Sequence, residues 1–239
     1  MKNMKKYIAI VLAVLMFAAC FAACNKSDKD AGKKSDSEIP AAFEGRLMEP
    51  YIDLILSKAY TFETTPKTET PITFVQYGDD QKMLSLNVEL EGQPTAITYM
   101  LKDGTYYLLT AADKNYTELS ASQVKKLKVD ELFNNASLEK FPNASYVGTG
   151  TSTISGVEYT YEDYYNPLVQ VKNRYYFNED GQLTYMARIN DKGKVGQKIP
   201  VSVLETNPTV FDVLNEYNFV EQAPVTKKAN GATTTRKAS

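Results

Sequence analysis

Residues 82–101, Lys82-Met83-Leu84-Ser85-Leu86-Asn87-Val88-Glu89-Leu90-Glu91-Gly92-Gln93-Pro94-Thr95-Ala96-Ile97-Thr98-Tyr99-Met100-Leu101, decide the fold. Leu84, Leu86, Val88 and Leu90 alternate with Met83, Ser85, Asn87 and Glu89, and beyond Glu91-Gly92 the alternation returns in Ile97, Tyr99 and Leu101. A strand turns successive side chains to opposite faces, so a period of two predicts paired strands with one buried face. Those seven apolar residues then share a sheet face.

The same reading extends in both directions. Turn signals at Gly78-Asp79-Asp80 and Asp103-Gly104 bracket the hairpin and predict a meander of strands over 72–77, 82–90, 95–101, 105–110 and 115–118. A second series is predicted over 145–154, 157–165, 169–177, 183–189 and 198–205, turning at Ser155-Gly156 and Asp180-Gly181. Between the two, Ser120-Ala121-Ser122-Gln123 has the form of a capping box, and Val124, Leu127, Leu132 and Phe133 predict a short helix crossing the middle. Upstream, Ile39, Phe43, Leu47, Tyr51, Leu54 and Ile55 recur at helical spacing until the period changes at Ala59. Pro50 lacks a donor and crowds the preceding turn, so this helix is predicted in two pieces, the second opening at Pro50. Pro208, Phe211 and Val213 predict an irregular capping segment, after which the chain leaves the core near Phe219.

Composition narrows the chemistry. With 43% hydrophobic and 23% charged residues over 239 positions, one folded domain with a real core is expected. There is no histidine, and the two cysteines, Cys20 and Cys24, both lie near the start. That removes Ser-His and Cys-His pairs, imidazole metal ligands and a disulfide framework in the body. Glu158 and Glu162 fall on one face of a predicted strand with Asp163 on the other, and are expected as a solvated face rather than an acid–base pair. Asn178-Glu179-Asp180-Gly181 and Asn190-Asp191-Lys192-Gly193 carry oxygen donors but no bidentate carboxylate further on, which makes them turns rather than calcium loops. Gly148-Thr149-Gly150-Thr151 lacks the lysine and helix of a phosphate loop and is read as strand. No catalytic residue, metal or cofactor is expected, and no enzyme. No basic face interleaved with aromatics suggests nucleic acid. Among the 17 tyrosines, Tyr159, Tyr161, Tyr164, Tyr165, Tyr175 and Tyr176 cluster; they could line a groove or stack on sugars, but strand faces and core edges are the expected place for them.

The N-terminus is an address. Lys2, Lys5 and Lys6 precede an uncharged apolar run over Tyr7–Ala19, too short for a membrane span. Phe17-Ala18-Ala19-Cys20 and Phe21-Ala22-Ala23-Cys24 both resemble the lipobox of bacterial lipoproteins, and Cys24 is preferred because the polar chain begins directly after it. The resemblance implies a diacylglyceryl cysteine at position 24 and a domain held on the extracytoplasmic side of the cell membrane. The expected organisation is a signal peptide over 1–23, a flexible tether over 24–38, one globular domain over 39–224 and a disordered basic tail over 225–239 carrying Lys227, Lys228, Arg236 and Lys237.

The order of elements also resembles the LolA/LolB-like lipoprotein carriers and related lipid-binding lipoproteins. The likeness is carried by Asp103-Gly104-Thr105-Tyr106-Tyr107 with Asn115-Tyr116-Thr117, by Tyr176-Phe177-Asn178-Glu179-Asp180-Gly181-Gln182-Leu183, and by Asn207-Pro208-Thr209-Val210-Phe211. It implies an α+β fold: a large curved antiparallel half-barrel with an N-terminal helix and a short helix crossing in the middle. It also implies a lipid or other hydrophobic ligand, for which Leu84, Leu86, Val88, Leu90, Ile97, Tyr99 and Leu101 are the candidate face. The alternative is a cell-surface module that binds protein or glycan through the tyrosine-rich strands. A monomer is expected.

Overall fold

The computed structural model describes residues 38–65, 71–90 and 93–221. Cys20, Cys24, the expected signal peptide, almost all of the expected tether and the basic stretch 225–239 lie outside them.

Among the described residues twelve strands form one sheet: β1 (Ala59–Thr64), β2 (Ile72–Tyr77), β3 (Gln81–Leu90), β4 (Gln93–Lys102), β5 (Thr105–Thr110), β6 (Asn115–Glu118), β7 (Ser145–Ile154), β8 (Val157–Asn166), β9 (Val171–Phe177), β10 (Leu183–Ile189), β11 (Ile199–Glu205) and β12 (Asn218–Phe219). Their order is β12-β6-β5-β4-β3-β2-β1-β11-β10-β9-β8-β7. The sheet is open and curved, and every pairing is antiparallel except β12 on β6. Two meanders therefore meet at a seam, where β1 pairs with β2 on one side and with β11 on the other. The predicted strands are all present, with ends shifted by a residue or two.

Two helical expectations are corrected. The stretch 39–48 is not helical; Phe43, Arg46 and Glu49 each donate to the carbonyl three residues back, giving successive turns. Gly45 sits at φ +66, a left-handed conformation that breaks a helix, and the amides of Leu47 and Met48 donate to the Glu162 carboxylate instead of to helical carbonyls. Helix α1 spans Glu49–Ser57, with Pro50 in its first turn, where its missing N–H is no loss, and it buries Ile52 and Ile55. The crossing helix is two helices, α2 (Ala121–Leu127) and α3 (Val129–Ala136), broken at Lys128 with φ +56. Ser120 caps α2 in a reciprocal box with Gln123, as its sequence predicts.

The three α-helices of the described residues cover one face of the sheet. Phe43, Ile52, Phe74, Leu84, Leu86, Phe133, Phe141, Tyr164 and Phe177 belong to a single buried cluster there. On the opposite face, the predicted irregular segment is a 3₁₀ stretch, Pro208–Glu216, whose Phe211 packs with Val75, Met100 and Leu109.

Candidate functional site

The pair α2 and α3 lies over the first meander, with α3 above β3. Where the pair turns at Lys128, it stands off from the start of β5 and leaves a cleft of about 650 Å³. Its floor is Tyr106, Leu119 and Val124, and its rim carries Lys125, Lys128, Asp130 and Glu131. The Tyr106 ring stacks on Phe133 with centroids 6.4 Å apart, while its hydroxyl donates to Asp130 at 2.5 Å. Burial, and then the hydrogen bond to that carboxylate, push the Tyr106 phenol up to about 12. Lys128 pairs with Glu131 at 2.8 Å. An apolar floor with a charged, solvated rim suits a molecule that has one apolar and one polar end.

Of the predicted ligand face, Leu84, Leu86, Ile97 and Tyr99 are buried in the helix-covered cluster and Leu101 is half-buried against it. Val88 and Leu90 lie on β3, but their side chains fall outside the described residues. None of the other five lines the cleft; the link is Leu101, which pairs across β4 and β5 with Tyr106 of the cleft floor.

The acidic cluster on β8 differs from its expectation. Glu162 is only 5% exposed, not solvated: it accepts from Leu47 N at 3.1 Å, Met48 N at 3.2 Å and the Tyr164 hydroxyl at 2.8 Å. Burial and the Glu162 bond push the Tyr164 phenol far up. Asp163, on the other face, takes a bidentate pair from Arg174 at 2.7 and 2.9 Å. Glu158 remains exposed. The two buried carboxylates are thus occupied in holding structure. The tyrosines divide by strand alternation: Tyr164 and Tyr175 fill the helix-covered core, whereas Tyr161 and Tyr176 lie on the opposite face, with Arg174 3.5 Å above the Tyr161 ring.

One polar cluster escaped sequence reasoning. Tyr60 donates to Gln76 Oε1 at 3.1 Å and accepts from the Leu138 amide at 2.9 Å, and Gln76 Nε2 reaches Glu139 at 2.6 Å. Burial pushes the Tyr60 phenol up to about 12. The available signal was Gln76 itself, a lone amide between Val75 and Tyr77 in a largely apolar strand. It is wholly buried and ties the seam strands to the chain after α3.

Among the described residues no group of three or more Asp, Glu, His or Cys is placed to hold a metal ion. No protein-family model and no curated protein matches the chain. Several solved structures are similar in outline. An uncharacterized conserved protein from Thermus thermophilus aligns over 72% of this chain and 98% of its own, at 9% identity and a TM-score of 0.34. LprF from Mycobacterium bovis aligns over 64% and 90%, at 10% identity and 0.31. The MucA/MucB complex of Pseudomonas aeruginosa aligns over 68% and 59%, at 12% identity and 0.30. At these scores the likeness carries no functional argument; the fold class rests on the chain's own strand order.

Proposed function

We propose that this protein is a non-catalytic binding module, held at the extracytoplasmic membrane surface through a diacylglyceryl Cys24, that receives a lipid or other hydrophobic molecule. The observation that carries the reading is the cleft at Tyr106, Leu119 and Val124, apolar at its floor, charged at its rim and set beside the helix-covered sheet face where Tyr106 pairs with Leu101. Its volume of about 650 Å³ falls within the ~300–1,000 Å³ of small-molecule sites. The apolar part of the ligand rests on the floor, and its polar end stays beside Lys125 and Asp130.

A fluorescent apolar probe titrated onto the whole chain tests this reading. Binding should saturate, long-chain amphiphiles should displace the probe, and Ala121→Trp, which fills the cleft from an exposed lining position, should weaken binding about tenfold without changing the circular dichroism spectrum. Saturable binding that Ala121→Trp leaves intact would place the ligand elsewhere, and absence of binding would remove the proposal. For the anchor, Cys24→Ser should abolish lipid labelling and membrane retention.

A second reading, glycan or protein recognition, is favoured by the Arg174–Tyr161 stack and the edge-on pair Tyr159–Tyr185 on the face away from the helices. Tyr185→Ala would weaken that interaction and leave probe binding unchanged.

A further inference from the structure

Strand β7 ends the sheet. It is ten residues long, Ser-Tyr-Val-Gly-Thr-Gly-Thr-Ser-Thr-Ile, and among the described residues it pairs only with β8. The opposite end finishes in a two-residue strand, β12, laid on the four residues of β6, which is too short to template another chain. Long edges in soluble proteins are ordinarily blunted by charge, proline or brevity. β7 has no charged residue and no proline, and its one irregularity lies between Tyr146 and Gly148, leaving 148–154 in regular register with β8.

The hairpin fixes which main-chain groups point outward. Ser155 and Gly156 both have positive φ, 51° and 87°, as a two-residue type I′ turn requires, so Ile154 and Val157 close it as a hydrogen-bonded pair. Bonded and non-bonded pairs alternate along an antiparallel ladder, so the amides and carbonyls of Thr153, Thr151 and Thr149 face away from β8. Val147, 47% exposed on the same strand, and Tyr165, 40% exposed on its neighbour, add apolar surface at one end of the edge.

We infer that β7 is a pairing edge whose occupant is β7 of a second copy of this chain, the two strands running antiparallel about a two-fold axis. Self-pairing needs the strand to complement itself, and an uncharged run of Gly, Thr and Ser does so. No like charges are brought together, no bulky side chains collide across 148–153, and threonines from the two copies stand opposite one another, a favourable cross-strand pair. On this inference the chain, expected as a monomer from its sequence, forms an edge-to-edge dimer with a continuous sheet.

Sedimentation velocity of the whole chain in mild detergent tests the inference, alongside a Thr151→Lys, Thr153→Lys variant. These threonines are solvent-exposed, so the variant should keep its unfolding midpoint. The wild-type chain should show a concentration-dependent monomer–dimer equilibrium, and the variant's dissociation constant should rise at least about tenfold, because like charges opposite one another destabilise a strand pair. Amide exchange at residues 149, 151 and 153 should slow as the dimer forms. A strictly monomeric chain overturns the inference, as does a dimer indifferent to the two lysines. A monomer whose 149, 151 and 153 amides are already protected overturns it too, and would assign the edge to another segment of the same chain.

Discussion

Removing the Glu162 carboxylate tests how the N-terminal segment is held. In Glu162→Ala, three donors lose their acceptor: the amides of Leu47 and Met48 and the Tyr164 hydroxyl, of which Met48 and Tyr164 are almost wholly buried. A hydrogen bond to a charged group contributes about 1.5–3 kcal/mol, and a buried donor left without a partner costs about 1–3 kcal/mol. The three penalties do not sum, because the segment can lift off and rehydrate its amides. Lifting off, however, forfeits the burial of Phe43, stacked on Tyr164 at 4.8 Å, and burying a phenylalanine side chain is worth ~1.5–3 kcal/mol. The expected loss is therefore about 3–5 kcal/mol for Glu162→Ala. Glu162→Gln keeps the shape and one accepting oxygen but turns an NH₂ toward a donor, and should lose about 1.5–3 kcal/mol. Urea unfolding followed by far-ultraviolet circular dichroism reads both values, and amide exchange over 43–55 reports local release. An alanine variant within about 1 kcal/mol of wild type, or one less harmful than the glutamine, would refute the reasoning.

Tyr60 sets an alkaline limit. The unfolded phenol loses its proton near 10.0 and the folded one only near about 12, so stability is complete below pH 10 and declines as pH rises through 12. The loss attributable to Tyr60 is about 2–3 kcal/mol, and Tyr60→Phe should flatten that part of the pH–stability curve while destabilising the protein at neutral pH by about 1–3 kcal/mol through the orphaned Leu138 amide. Ser120→Ala removes the cap of α2 and should cost about 1 kcal/mol in thermal or urea unfolding. Arg174→Ala leaves Asp163 buried with Lys172 only at 3.9 Å, and should cost about 3 kcal/mol, whereas Arg174→Lys should recover part of the loss.

The strands were legible because their signals are local: alternation along Lys82–Leu101, Asp-Gly at the turns and a capping box at Ser120 act within a few residues. What failed depended on partners distant in the chain. The helical spacing of Ile39, Phe43 and Leu47 describes correctly that Phe43 is buried, but the backbone there is shaped by Gly45 and by a carboxylate more than a hundred residues away. For the same reason Glu162 reads as a surface acid until its two amide partners are seen. The cleft had no motif, since it arises where a helix pair fails to meet a strand. Its lining residues are unremarkable taken singly.

The seam at β1 makes the two meanders exchange arms. The segment before the first meander crosses to β8 of the second, through Phe43 on Tyr164 and the amides of Leu47 and Met48 on Glu162. The segment after the second crosses to the first, through Phe211 among Val75, Met100 and Leu109, Lys102 on the Phe211 carbonyl, and β12 on β6. Each half thus carries the other's clasp. If the chain were cut in the link between α3 and β7, the two pieces would remain complementary at the β1–β11 border and at both clasps, and they should reassemble when mixed. Unfolding of the intact protein should accordingly be a single event, because neither meander can open without surrendering the arm that secures its neighbour.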